Sequence, residues 1–182
     1  MDIVKHISQH TRNLIEGLVH SSLEQRKSLI IALLGFYSQL PNFKGTLNQY
    51  LHININKRQL ISDIHTGHLQ IYLEAIEKSN AETDVYADNY EEPEPIELLI
   101  LDAFAGMTSD LKFSTPLVPL LIGIIDTLDY YENFSNRPEF WHQLLEKEVQ
   151  FQNEILIQLR SGLILQASMY EKRYEHVKFN QL

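Results

Sequence analysis

Residues 95–131 read PIELLILDAFAGMTSDLKFSTPLVPLLIGIIDTLDYY, two apolar segments joined around Ser114, Thr115 and Pro116. In the first, Ile96, Leu99, Ile100, Ala103, Phe104, Met107 and Leu111 recur at steps of three and four, the interval that keeps one face of an α-helix apolar. Leu117, Leu120, Leu121, Ile124, Ile125 and Leu128 do the same in the second. Apolar residues off these stripes (Leu98, Leu101, Val118 and Ile122) widen both faces, so each helix is expected to be covered on more than one side. The stretch predicts a helical hairpin at the centre of an all-α, single-domain bundle of about seven helices. It reads as core rather than as a catalytic site.

Outward from the hairpin, the flanking sequence keeps the helical period. Asp2 stands as an N-cap before Ile3, Val4, Ile7, Thr11, Leu14, Ile15 and Leu18, a stripe ending near His20. Ser21 and Glu24 have capping-box spacing. A second helix runs through Leu29, Ile30, Leu33, Leu34, Phe36 and Tyr37, and Pro41 stops it. Gly35 within it costs roughly 1 kcal/mol relative to alanine, which predicts a close-packed neighbour there. Residues 42–56 suggest a short helix and a loop. A third long helix is expected over 57–78, with Leu60, Ile61, Ile64, His68, Ile71, Tyr72 and Ile76 on one face.

On the far side, Asn136 and Pro138 give a helix start. The stripe of Trp141, Leu144, Leu145, Val149, Gln152, Ile155, Leu156, Leu159 and Leu163 then continues to Tyr170, with a bend expected at Ser161-Gly162. Lys172, Arg173 and Lys178 suit the negative end of a helix dipole.

With 182 residues, 44% of them hydrophobic, the chain can bury a substantial single core. It has no cysteine, which excludes disulfides, thiolate zinc sites and cysteine nucleophiles together. Met1 to His10 lack the unbroken apolar run of a signal peptide. The most apolar stretch, Leu117 to Ile125, contains Pro119 and Gly123 and runs into Asp126 and Asp129, too short and too polar-flanked to span a membrane. A cytoplasmic protein with no membrane partner is the expectation.

The net charge of −9 is unevenly placed. Residues 1–78 hold eight basic and six acidic groups, and 137–182 hold six of each. Residues 79–136 hold twelve acidic groups against Lys112 alone, a local net of −11. Such a field repels phosphate backbones and speeds encounter with basic partners, so nucleic-acid binding is disfavoured. Its densest part is a loop at 79–95, where the helical pattern lapses and Glu82, Asp84, Asp88, Glu91, Glu92 and Glu94 are interleaved with Tyr86 and Tyr90. Carboxylates around tyrosine compose a surface suited to a basic protein. Asp126, Asp129 and Glu132 belong to the same charge block.

Catalytic patterns are weak by comparison. Asp126, Asp129 and Glu132, at i, i+3 and i+6, could hold a divalent cation for phosphate-ester hydrolysis, and this is the best enzymatic reading. It requires a second carboxylate set on a facing helix and a basic group for the phosphate, and nearby sequence offers only Lys112 and Arg137. Glu139 and His142 have the Glu-x-x-His spacing that di-iron bundles use twice, here present once. His65 and His68 lie one turn apart with Asp63 nearby, but Gly67 separates them, and His68 reads as a partly buried stripe residue. His6 with His10, and Glu16 with His20, read as solvated positions lacking the His-Glu-x-x-His arrangement. Arg173 and His176 read as a basic helix terminus. There is no Gly-x-Ser-x-Gly elbow and no glycine-rich phosphate loop.

The sequence thus points to an acidic protein-binding module without catalytic residues, cofactor or metal. The specific expectation is a bacterial immunity-type inhibitor that sequesters a basic toxin or nuclease domain through Glu82, Asp84, Tyr86, Asp88, Tyr90, Glu91, Glu92, Glu94, Asp126, Asp129 and Glu132. The alternatives are the metal-dependent phosphohydrolase and a structural or adaptor bundle acting as a homodimer or higher homo-oligomer.

Overall fold

In the computed structural model, which describes residues 3–180 other than Val85 and Asn89, with the side chains of residues 3–6 excepted, every residue from Ser28 to Tyr37 is buried. These residues form most of α2 (Leu23–Tyr37). Around it stand α1 (Ile3–Leu18), α3 (Phe43–Leu51), α4 (Lys57–Thr66), α5 (Gln70–Glu82), α6 (Pro95–Met107), α7 (Leu117–Phe134), α8 (Pro138–Arg160) and α9 (Met169–Tyr174). The described residues thus contain nine helices and no strand.

The hairpin forms as α6 and α7, which pack together with Gly106 close against Leu120. Its connection is longer than the Ser114-Thr115-Pro116 turn, running from Thr108 to Pro116, with Leu111 buried in the loop rather than on a helix. The helix enclosed on all sides is α2, which touches α9, α7, α4 and α6. Leu29, Ile30, Leu33, Leu34 and Phe36 are fully buried, each worth about 1.5–3 kcal/mol of transfer free energy. The hairpin helix α7 packs against α8, α6, α1 and α2, and α2 is buried beside it, because a helix apolar all round is stable only when covered all round.

Two close approaches explain two glycines. A Cβ on Gly35 would lie 2.9 Å from the backbone nitrogen of Glu171, so α9 crosses α2 there, as the glycine predicts. A Cβ on Gly123 would lie 2.5 Å from the Tyr37 hydroxyl, which instead donates to the Leu120 carbonyl at 2.6 Å.

Several boundaries differ from the sequence reading. The N-cap of α2 is Ser22, not Ser21: Ser22 Oγ accepts from Gln25 N–H, and the Gln25 side chain accepts from Ser22 N–H. Ser21 Oγ turns back to donate to the Leu18 carbonyl. The expected helix over 57–78 is two helices, because Gly67 adopts φ +77° and caps α4 in the left-handed region open to glycine. The long C-terminal helix likewise stops at Arg160, with Gly162 at φ +81°. Leu163 and Ile164 are exposed beyond it, and α9 is a separate element. Ile15, read as core, is exposed. The Asp2 cap lies outside the described residues.

Aromatic packing closes the C-terminus. Tyr131 stacks on Trp141 with ring centroids 4.5 Å apart, and its hydroxyl donates to the Phe179 carbonyl. Phe179 in turn packs on Trp141, Tyr174 and Phe36. No described helix is long and apolar enough to cross a membrane.

Candidate functional site

The acidic loop lies over a groove walled by α3, α5 and α6. Pro95 starts α6 where its missing N–H is not needed, and Glu94 caps the helix reciprocally with Glu97. That carboxylate does double duty, since Glu97 Oε2 accepts from Glu94 N–H at 3.0 Å and from the Tyr50 hydroxyl at 3.0 Å. Ser79 Oγ donates to the Tyr50 carbonyl at 2.8 Å. Tyr50 therefore joins α3 to both ends of the loop. Partial burial and then the hydrogen bond to the Glu97 carboxylate push its phenol up to about 12.

Within the loop, Asp84 Oδ1 accepts from Tyr86 N–H and the Tyr90 N–H reaches the Ala87 carbonyl. The loop arches over a groove of about 750 Å³. Glu82, Asp84 and Glu91 line it with Asp102 of α6, and Tyr50 and Tyr90 supply aromatic surface. Neither lysine nor arginine lines it.

Of the residues read from sequence as a binding surface, the structure brings Glu82, Asp84, Tyr90 and Glu91 into this groove. Asp88, Glu92 and Glu94 are exposed on the loop but do not line the groove, and Tyr86 projects from it, 92% exposed. Asp126, Asp129 and Glu132 do not join it, because α7 turns them toward α1 and α8, where they line a second cavity of about 380 Å³. Asp102 was missed by sequence reasoning; it lies between the stripe residues Ile100 and Ala103, and only the fold of the loop places it on the groove.

The second cavity has apolar walls from Ile7, Ile125, Leu145 and Val149. At its rim His142 sits between two carboxylates, with Nδ1 3.0 Å from Glu132 and Nε2 3.6 Å from Glu146. Glu139, the partner suggested by spacing, is exposed and makes no such contact. Asp126 is raised above the usual carboxylate range, first by burial and then by the neighbouring Asp129 charge.

His10 corrects another expectation. It is 5% exposed rather than solvated, and its Nε2 lies 2.8 Å from Gln152 Oε1. The amide nitrogen of Gln152 donates to the Leu121 carbonyl and to Glu148, so its oxygen must accept and His10 Nε2 carries the proton. The side chain of His6 lies outside the described residues.

Glu148 is fully buried at the next turn of α8. It accepts from Gln152, Tyr170, Arg173 and Tyr174. Burial nevertheless outweighs these donors and raises its carboxyl above the usual range. Its position could be read from sequence, since it stands seven residues after Trp141 and four before Gln152 on the helix stripe. Arg173 is thereby an anchor rather than a solvated helix end, while His176 is exposed beside Glu175.

His65 and His68 are both exposed; His68 lies past the end of α4 rather than on a buried stripe. Asp63, their neighbour in sequence, instead accepts from Tyr72 and Gln59. Among the described residues no three histidine, aspartate or glutamate side chains are grouped to hold a metal ion. In comparisons with known proteins, the chain matches no family model, no curated protein and no solved structure.

Proposed function

We propose that this protein is an acidic protein-binding module, an immunity-type inhibitor that sequesters a basic toxin or nuclease domain. The observation that carries the reading is the groove beneath the acidic loop, where Glu82, Asp84, Glu91 and Asp102 converge with no lysine or arginine among the lining residues. A basic side chain entering between them exchanges water for several carboxylates at once, and the surrounding field speeds encounter. Tyr86 supplies an exposed aromatic contact beside it.

The test is capture from a lysate of the source organism at about 50 mM and about 500 mM salt, since screening weakens exposed charge contacts. One basic protein is expected to be retained at low salt, released at high salt, and lost by Glu91→Lys/Glu92→Lys with helicity unchanged. Retention by that variant would place the interface elsewhere.

A second reading, self-association, is favoured by a separate feature. Gly17 lies against Leu156, and Gln25 donates to the carbonyls of Leu159 and Leu163. Exposed Ile15, Val19 and Leu23 are therefore gathered at the same end of the bundle as exposed Ile157, Leu163 and Ile164. Sedimentation of wild type and Ile164→Glu at micromolar concentration tests it: a dimer dissociated by the substitution supports it, and a monomeric wild type removes it.

A further inference from the structure

The cavity between α1, α7 and α8 is separate from the groove and differently built. Four aliphatic side chains form its walls, its charged lining residues are acidic, and neither lysine nor arginine lines it. Its volume of about 380 Å³ lies within the range of small-molecule sites. Not all of its carboxylates are equivalent. Glu132 and Glu146 are engaged by His142. Asp126 and Asp129 have no side-chain hydrogen bond or ion pair among the described residues, and they stand one helical turn apart, close enough for the charge of one to perturb the other.

His10 adds a third polar group to the same cavity. The residue is 5% exposed and lines this cavity. Because Gln152 Oε1 must accept from Nε2, the neutral ring keeps its lone pair on Nδ1, which has no partner among the described side chains. That lone pair stands on the cavity lining beside two unpaired carboxylates, where it can accept from a donor that enters.

We propose that this cavity binds a small primary ammonium compound with an apolar body, its head held among Asp126, Asp129 and His10 and its body against Ile7, Ile125 and Leu145. A primary ammonium carries three N–H donors and one positive charge, matching two carboxylates and one imidazole lone pair. An anion has no counter-charge here. A neutral molecule of the same shape fills the apolar part but leaves the two carboxylates unpaired.

The test is calorimetric titration of the full chain with phenethylammonium, phenethyl alcohol and phenylpropionate, with the isoleucine methyl signals followed by NMR. Phenethylammonium is expected to bind at least about tenfold more tightly than the other two probes and to shift the methyls of Ile7 and Ile125. Asp126→Asn/Asp129→Asn is expected to lose that preference while still melting cooperatively. Val149→Trp, which fills the cavity, is expected to abolish binding. The proposal is overturned by equal affinity for the three probes, by no ammonium binding, or by undiminished preference in the double variant. Tighter binding of a lysine amide than of phenethylammonium would overturn the assignment to a free amine in favour of a protein side chain.

Discussion

Arg173 Nε lies 3.1 Å from Glu148 Oε2, and through this pair the short α9 is tied to α8 and closed over α2. The guanidinium also covers the Phe151 ring, 4.1 Å from its centroid. Tyr170 and Tyr174 donate to the same carboxylate at 2.7 and 2.8 Å. One buried group thus organises three residues of the last helix.

Removing it exposes what it satisfied. Glu148→Ala leaves two buried phenols and an amide without their acceptor, and is expected to cost about 3 kcal/mol or more in urea unfolding. Tyr170 fluorescence environment and α9 amide protection should be lost together. A cost under about 1 kcal/mol would mean that α9 is held by its apolar contacts alone.

The same group sets a pH dependence. Its folded-state carboxyl lies above the ordinary value of 4.5 because burial dominates, so the folded protein takes up a proton more readily than the unfolded chain. The contribution is fully present below about pH 4.5 and declines as pH rises through the raised value. The stability of wild type relative to Glu148→Gln is therefore expected to decrease as pH rises from about 4.5 through that raised value. A difference that stays flat across that interval would show that the donors compensate for burial.

Two crowded helix glycines should respond differently. In Gly35→Ala the new methyl meets the Glu171 backbone at 2.9 Å, whereas in Gly17→Ala it meets the flexible ends of Leu156 at 2.7 and 2.9 Å. Overpacking against backbone costs about 1–3 kcal/mol, partly offset by about 1 kcal/mol of helix propensity. Gly35→Ala should be clearly the less stable of the two, with α9 loosened first. Equal midpoints in thermal melts would contradict the close crossing.

The start of α2 distinguishes adjacent serines. Ser22→Ala removes the capping box and is expected to cost about 1 kcal/mol. Ser21→Ala loses only a local bond to the Leu18 carbonyl and should cost less. Chemical denaturation of the two variants decides the order, and a larger loss at Ser21 would move the cap.

Alkaline titration probes the groove. Tyr50 is pushed up to about 12, first by burial and then by its hydrogen bond to Glu97. A folded value above the unfolded 10.0 means that its stabilising contribution is present below pH 10 and is lost as pH approaches 12. Absorbance of phenolate in wild type and Tyr50→Phe should differ by one late-titrating group. Titration of that group near 10 would detach Tyr50 from the loop.

What the sequence by itself determined is local. The all-α class, the hairpin of α6 and α7, the short helix after Pro41, the close approach at Gly35 and the acidic run at 79–95 all follow from intervals of three or four residues, from proline and glycine, or from composition. What only the tertiary structure decided is where helices stop and which distant residues meet. Gly67 and Gly162 interrupt stripes whose apolar period continues past them, because a left-handed glycine redirects the chain without altering the pattern of hydrophobicity. His10 and Gln152 are separated by 142 positions, and Glu148 by 25 from Arg173; periodicity carries no record of such pairings. The division of one acidic block into a loop-covered groove and a separate cavity has the same origin. Charge along a chain is additive, but the side on which a helix presents it depends on what that helix is packed against.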